Sequence, residues 1–213
     1  MEERFSAIVG LTGHAGHGKD TAGQYLRMRL EEEGLRPVLH AFADPLKKAL
    51  AEMTGLSVET LDAYKRTGEA LPGYGIPVRP VLQQLGDFVR ERNPQWLLLR
   101  AKQSMRNAEQ EAASLSGDPV HIWTDVRVPN EAAFLREHSR QVTIARVYQP
   151  EFDNGIGLAH TTESGVDQIE PDLWLENPAE HVIALYAQLE QEVVDRHIHP
   201  IDALVTSPSA GAL

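Results

Sequence analysis

Apolar residues along this chain fall into short runs separated by stretches in which they recur at helical spacing. Ala7-Ile8-Val9-Gly10-Leu11 predicts a first strand over Ser6 to Leu11. Asp20 to Glu33 follows as a helix, with Tyr25, Leu26, Met28 and Leu30 at its apolar positions and Gly34 as its stop. Pro37 to Ala43 predicts a second strand. Asp44-Pro45 then opens a second helix, with an acidic cap and a proline in the first turn. Pro80 to Arg92 and Pro94 to Ala113 also read as helices. Further on come a strand at His121 to Val126, a short helix at Asn130 to Glu137 and a strand at Gln141 to Val147. A short strand at Leu173 to Leu175 and a helix over Ala179 to Arg196 close the pattern. Strands alternating with helices predict an α/β fold of three layers, a parallel sheet of about five strands covered on both faces. Ligands of such sheets bind at the carboxyl ends of the strands, where Gly13, Asp44, Asp125 and Arg127 emerge.

Two stretches interrupt the rhythm. Lys65 to Pro80 is rich in glycine, proline and charge, and Gln149 to Asp172 is long and polar. Such loops are functional lids or mobile surface segments, and both readings stand for the second stretch. The expected organisation is one domain over residues 1–197, with an insertion at about 60–115 and a lid-like loop at about 149–172. Residues 198–213 are expected to be a flexible tail.

Between the first strand and the first helix lies Gly13-His14-Ala15-Gly16-His17-Gly18-Lys19-Asp20-Thr21, the pattern of a phosphate-binding loop. Glycines let the backbone curl so that successive N–H groups form an anion-binding nest. The helix that follows adds its positive end, and Lys19 adds a cation for β- and γ-phosphates. Because strand, loop and helix come in order, a nucleoside triphosphate is the expected ligand. Asp20 stands where serine or threonine usually follows the lysine. It either reaches magnesium indirectly, through water, or simply favours the helix N-terminus while Thr21 makes a polar contact.

Composition narrows the class. The 213-residue chain is 42% hydrophobic, enough for a core, and has no apolar run of membrane-spanning length. It contains no cysteine, which removes disulfides and thiolate metal sites. A net charge of -11 argues against a nucleic-acid polymer as partner while leaving room for a local cationic pocket. Met1-Glu2-Glu3-Arg4 lacks the layout of a signal peptide, so a cytoplasmic location is expected. Neither a membrane partner nor a particular oligomer is indicated: monomer and homodimer both fit.

Ile122-Trp123-Thr124-Asp125 is an apolar strand ending in a carboxylate. In phosphate-loop proteins such an aspartate helps hold the magnesium shell, and elsewhere it merely caps a helix. Arg127, two residues on, lies on the same side as Asp125 if the strand continues, within reach of a phosphate.

Four segments together carry a family resemblance: Gly18 to Thr21, Phe42-Ala43-Asp44-Pro45-Leu46-Lys47, Arg79 to Gly86 with Arg90, and Thr124 to Glu131. With them the chain resembles the bacteriophage deoxynucleoside monophosphate kinases, in the nucleoside-monophosphate-kinase group of phosphate-loop proteins. His160 to Glu163 is a weaker later match to a lid segment. The resemblance implies a phosphate-loop kinase fold with acceptor-binding and lid insertions, ATP as phosphoryl donor with Mg2+, and a deoxynucleoside monophosphate as acceptor. The same Lys-Asp pairing occurs in phosphomevalonate-type kinases, which leaves another small phosphorylated acceptor open. So does a regulatory module that binds ATP without transfer.

A monophosphate oxygen is already anionic, so transfer to it needs charge neutralisation and alignment more than a base. Lys19 and the loop from Gly13 to Thr21 are assigned to the ATP phosphates, and Asn177 to the border of the adenine. Arg79, with Gln83 one helical turn away, is assigned to the acceptor. Arg127 bridges toward the acceptor phosphate or the transition state. Asp44 positions Lys47 or the metal's water shell, or caps its helix. Arg90 and Glu131 complete the acceptor side, although an ion-pair role suits Arg90 equally. The expected catalytic set is Lys19, Asp44, Lys47 and Arg127, with Asp20 and Asp125 facing the metal through water. His197 and His199 are not expected to bind metal, and Trp96 and Trp174 read as core.

Overall fold

The computed structural model describes residues 5–114, 119–150, 161–178 and 181–195, with the backbone alone at 161–163. The expected tail at 198–213, His197, His199 and His160 lie outside the described residues, as does 151–160 of the lid-like stretch. The chain divides into two compact units, Met1–Leu39 with Arg106–Leu213, and His40–Met105.

The strands are β1 (Ile8–Thr12), β2 (Arg36–His40), β3 (Pro119–Val126), β4 (Val142–Tyr148) and β5 (Leu173–Glu176), in the sheet order β2-β3-β1-β4-β5. The ladders of β1 with β3, β1 with β4 and β4 with β5 are parallel, giving the expected α/β sheet. The helices of the first unit are α1 (Lys19–Glu32), α6 (Pro129–His138), α7 (Thr161–Val166) and α8 (Val182–Leu189). α8 runs on into a π-helical turn, Glu190–Val194. Those of the second unit are α2 (Asp44–Thr54), α3 (Val58–Thr67) and α4 (Val78–Arg92), while α5 (Trp96–Ala113) runs from the second unit into the first.

Alternation along β1 assigns its two faces. Val9 and Leu11 join Leu26, Leu30, Leu175, Leu185 and Leu189 in one buried cluster, which places α1 and α8 on that side. Gly10 faces the other way, where an added Cβ would lie 2.6 Å from Ile144 and 3.2 Å from Leu135 of α6. Glycine leaves room there for the Ile144 side chain of β4 and for Leu135 of α6. On α1 the buried stripe is Lys19, Ala22, Gly23, Leu26 and Leu30 at helical spacing, whereas Met28, expected inside, is 46% exposed.

In the second unit, Leu46, Leu50, Leu61, Leu71, Val78, Leu82 and Leu97 form a separate core. The second strand stops at His40 instead of Ala43. Asp44 Oδ2 accepts the Ala41 N–H at 3.2 Å while the Asp44 N–H donates to the Ala41 carbonyl at 3.1 Å, closing a turn before α2. Part of Lys65 to Pro80, expected to be loop, belongs to α3, which Gly68 ends in a left-handed conformation. Trp174 also departs from expectation. Its position on β5 alternates with the buried Leu173 and Leu175, leaving the indole 56% exposed on the opposite face.

The start of the described chain is tied to β3 through a buried histidine. His121 Nε2 lies 3.2 Å from Glu109 Oε1, which also accepts the Ser6 N–H at 2.8 Å. Burial holds the His121 imidazole below its ordinary pKa of 6.5, with Glu109 pulling the other way. The unfolded chain therefore takes up this proton first as pH falls. The contribution of neutral His121 is complete above about pH 6.5 and is lost as pH drops through the folded-state value. Thermal midpoints measured from about pH 8 to pH 5 should fall in that lower window, and His121→Leu should flatten the slope. Equal slopes in the two proteins would contradict this.

Candidate functional site

The loop from Gly13 to Gly18 leaves β1 and enters α1 through three glycines with positive φ: 138° at Gly13, 88° at Gly16 and 98° at Gly18. Two of them are also sterically required. An added Cβ at Gly13 would sit 2.2 Å from the Val147 carbonyl oxygen, and one at Gly18 would sit 2.3 Å from Asn177 Nδ2. The loop is thus pressed onto the carboxyl ends of β4 and β5.

Inside this turn Lys19 is buried, and its Nζ donates to the carbonyls of Gly13 and His14, both at 2.7 Å. The His17 N–H closes onto the His14 carbonyl at 3.3 Å, and the Ala22 N–H begins α1 on the Gly18 carbonyl at 2.9 Å. Asp20 and Thr21 are exposed in the first turn of α1, where a carboxylate favours the positive helix end. A buried ammonium, a glycine-rich turn and a helix N-terminus meet here, and together they suit a polyphosphate.

Distant residues brace the loop. Asn177, expected beside the adenine, donates through Nδ2 to the His17 carbonyl at 3.0 Å. Its own N–H bonds the Tyr148 carbonyl at 2.8 Å, continuing the line of β4 and β5. The Gln149 N–H points at His17 Nδ1 at 3.4 Å, and His14 Nε2 lies 3.1 Å from Asp167 Oδ1. Asp167 did not figure in the sequence reading, since no local motif marks it.

At the end of β3 the register with β1 shifts: Gly10 pairs with Trp123 but Thr12 with Val126, so β3 carries one extra residue there. Asp125 and Arg127 are half-buried on either side of the buried Val126. Glu131 is 2% exposed, and its Oε2 accepts the N–H groups of Arg127, at 2.8 Å, and Val128, at 3.3 Å. Its carboxylate thereby fixes the turn that presents Arg127 and starts α6.

The remaining expected residues belong to the second unit. Arg79, Gln83 and Arg90 are half-buried on α4 at spacings that put them on one face. An added Cβ at Gly86 would meet Arg90 Nη1 at 2.9 Å, so the guanidinium folds over that glycine, and Asp87 lies 4.0 Å from it. Lys47 Nζ pairs with Asp62 Oδ1 at 3.0 Å and stands 4.0 Å from Asp44 Oδ1. Asp62 was likewise missed, because α3 itself was not foreseen.

Among the described residues no group of three or more His, Cys, Asp or Glu side chains converges. Magnesium in nucleotide sites keeps several waters and takes one or two protein carboxylates; of the two expected to face it, Asp20 is exposed and Asp125 half-buried. No helix among the described residues is long and apolar enough to cross a membrane.

No family model and no curated protein matches the sequence. Among solved structures, the chain is similar to an APS kinase of Mycobacterium tuberculosis determined with AMPPNP and APS, at 14% identity over 92% of this chain and 98% of that one, TM-score 0.45. A gluconokinase from Sinorhizobium meliloti 1021 is 13% identical over 89% and 94%, TM-score 0.39. A sugar kinase from Janibacter sp. HTCC2649 is 17% identical over 91% and 99%, TM-score 0.38.

Two substitutions probe the loop's packing. Gly13→Ala combines a positive φ with a backbone clash and should abolish ATP binding in a titration calorimeter. Asn177→Ala removes one brace of about 1 kcal/mol and should weaken ATP about fivefold. Unchanged affinity in Gly13→Ala would mean that the loop does not hold the nucleotide.

Proposed function

We propose that the protein is a kinase that transfers the γ-phosphoryl group of ATP to a deoxynucleoside monophosphate and releases the diphosphate. The observation that carries the reading is the buried Lys19 ammonium enclosed by a glycine turn at the head of α1. That arrangement suits the phosphate groups of a nucleotide. The resemblance of Phe42 to Lys47, Arg79 to Arg90 and Thr124 to Glu131 to the phage kinases supplies the acceptor class.

In this mechanism the loop amides and Lys19 hold the β- and γ-phosphates of ATP. Arg79 and Gln83 hold the acceptor's phosphate by charge and hydrogen bonding. Arg127, presented by the Glu131-fixed turn, neutralises charge on the group in transfer. Lys47, oriented by Asp62 and Asp44, adds a second cation on the acceptor side. Asp20 and Asp125 would hold Mg2+ through its waters, and the ion when bound offsets phosphate charge. The attacking phosphate oxygen is anionic already, so no residue is assigned as its base.

The test is to incubate the protein with ATP, magnesium and each natural deoxynucleoside monophosphate, then resolve the products. At least one should yield its diphosphate. Binding of ATP with transfer to none would overturn the acceptor assignment and favour a regulatory module. Lys19→Ala should reduce turnover about a hundredfold or more. Arg79→Ala should raise the acceptor KM about tenfold while leaving ATP affinity within about twofold. Equal losses for both substrates would place Arg79 in a structural role.

A further inference from the structure

Outside the phosphate loop, β4 carries a buried guanidinium, that of Arg146. Only 8% of it is exposed, and burial pushes its pKa below the ordinary guanidinium value, with Asp167 opposing. Its Nη2 donates to the carbonyls of Val166 and, at 3.3 Å, Ile169. Nη1 lies 3.6 Å from Asp167 Oδ1, and the guanidinium carbon sits 4.8 Å from the centre of the Trp174 ring. Nε has no partner among the described residues. A guanidinium buried with one donor unmet is costly, and a hydrophobic residue would serve packing better.

What this charge holds touches two parts of the site. Asp167, whose Oδ1 faces Arg146, also meets His14 Nε2 of the phosphate loop at 3.1 Å. Two residues earlier, Gly165 packs so closely that an added Cβ would lie 2.7 Å from the Arg127 carbonyl and 2.8 Å from Val128 Cγ1. The far end of the same segment is fixed by Arg136, which bonds Asp172 Oδ1 at 2.8 Å and the Glu170 carbonyl at 3.0 Å. Asp172 Oδ2 in turn accepts the Ile144 N–H at 2.7 Å.

We propose that Arg146 is a positioning residue: it locks Gly165 to Ile169 into a bracket that joins the phosphate loop, through Asp167 and His14, to the turn that presents Arg127. Under the kinase reading on which its functional meaning rests, the bracket sets donor-side and transfer-side groups together, although Arg146 touches no substrate. An ordinary packing role would stabilise the 164–172 segment alone.

Amide hydrogen exchange without nucleotide separates the two roles, with ATP affinity as a second readout. In Arg146→Met, amides of His14 to Lys19 and of Arg127 to Glu131 should exchange at least about tenfold faster, while the β3 amides of Val120 to Trp123 stay unchanged. ATP should bind about fivefold more weakly, and Arg146→Lys should restore part of both effects. Asp167→Asn, at a half-exposed position, should speed exchange in the loop and spare the Arg127 turn. Faster exchange confined to 164–172, or spread evenly over the chain, would overturn the proposal. If Arg146→Met does not fold, Asp167→Asn decides: an unchanged loop rejects the bracket. Because exchange is read without turnover, failure of the kinase reading would appear separately, as absent transfer by the unaltered protein.

Discussion

Two positions without room for a side chain govern this molecule. Gly13 lies against the Val147 carbonyl and Gly18 against Asn177, so the chain between them must turn in conformations that only glycine adopts easily. Both neighbours sit at the carboxyl ends of β4 and β5, on the side of the sheet toward which β1 also runs. The parallel topology and the phosphate loop are therefore one arrangement. An antiparallel β4 would bring its amino end to the loop and remove the surface on which the loop rests.

Within that constraint, an acidic chain concentrates its useful cations by enclosing them. The net charge is -11, yet Lys19 is buried among carbonyls at the head of a helix, and Arg146 is buried under Trp174. Low local polarity strengthens the field of such groups, whereas surface pairs contribute little. Other cations are oriented by carboxylates: Lys47 by Asp62, and Arg29 by Glu190 of the π-helical turn. Glu131 acts at one remove, spending its carboxylate on the backbone that carries Arg127.

The sequence made the sheet legible because buried parallel strands are continuous apolar runs. β1, β3 and β4 fall within a few residues of their expected bounds. α3 was hidden because it is mostly polar, with Leu61 as its one buried residue. Ser57, whose side chain accepts the Thr60 N–H at 3.2 Å, was the signal available. α7 is only six residues long, too short for a periodicity to show. The same division holds in the site. The loop could be read because its chemistry is contiguous. Asn177 stands 160 residues from the His17 carbonyl it braces, and Asp167 stands 153 from His14, so tertiary register alone brings them together. Trp174 misled because an apolar residue on a short strand reads as core, while here it alternates with the buried Leu173 and Leu175 and is 56% exposed.

The central claim is that the turn between β1 and α1 holds the phosphates of ATP. Backbone amide NMR of the protein titrated with magnesium and ATP tests it most directly. The account predicts that the largest shifts fall on Gly16 to Thr21, saturate with one equivalent, and vanish in Lys19→Ala. ATP binding with its largest shifts elsewhere, or shifts at the loop that survive loss of the Lys19 ammonium unchanged, would contradict it.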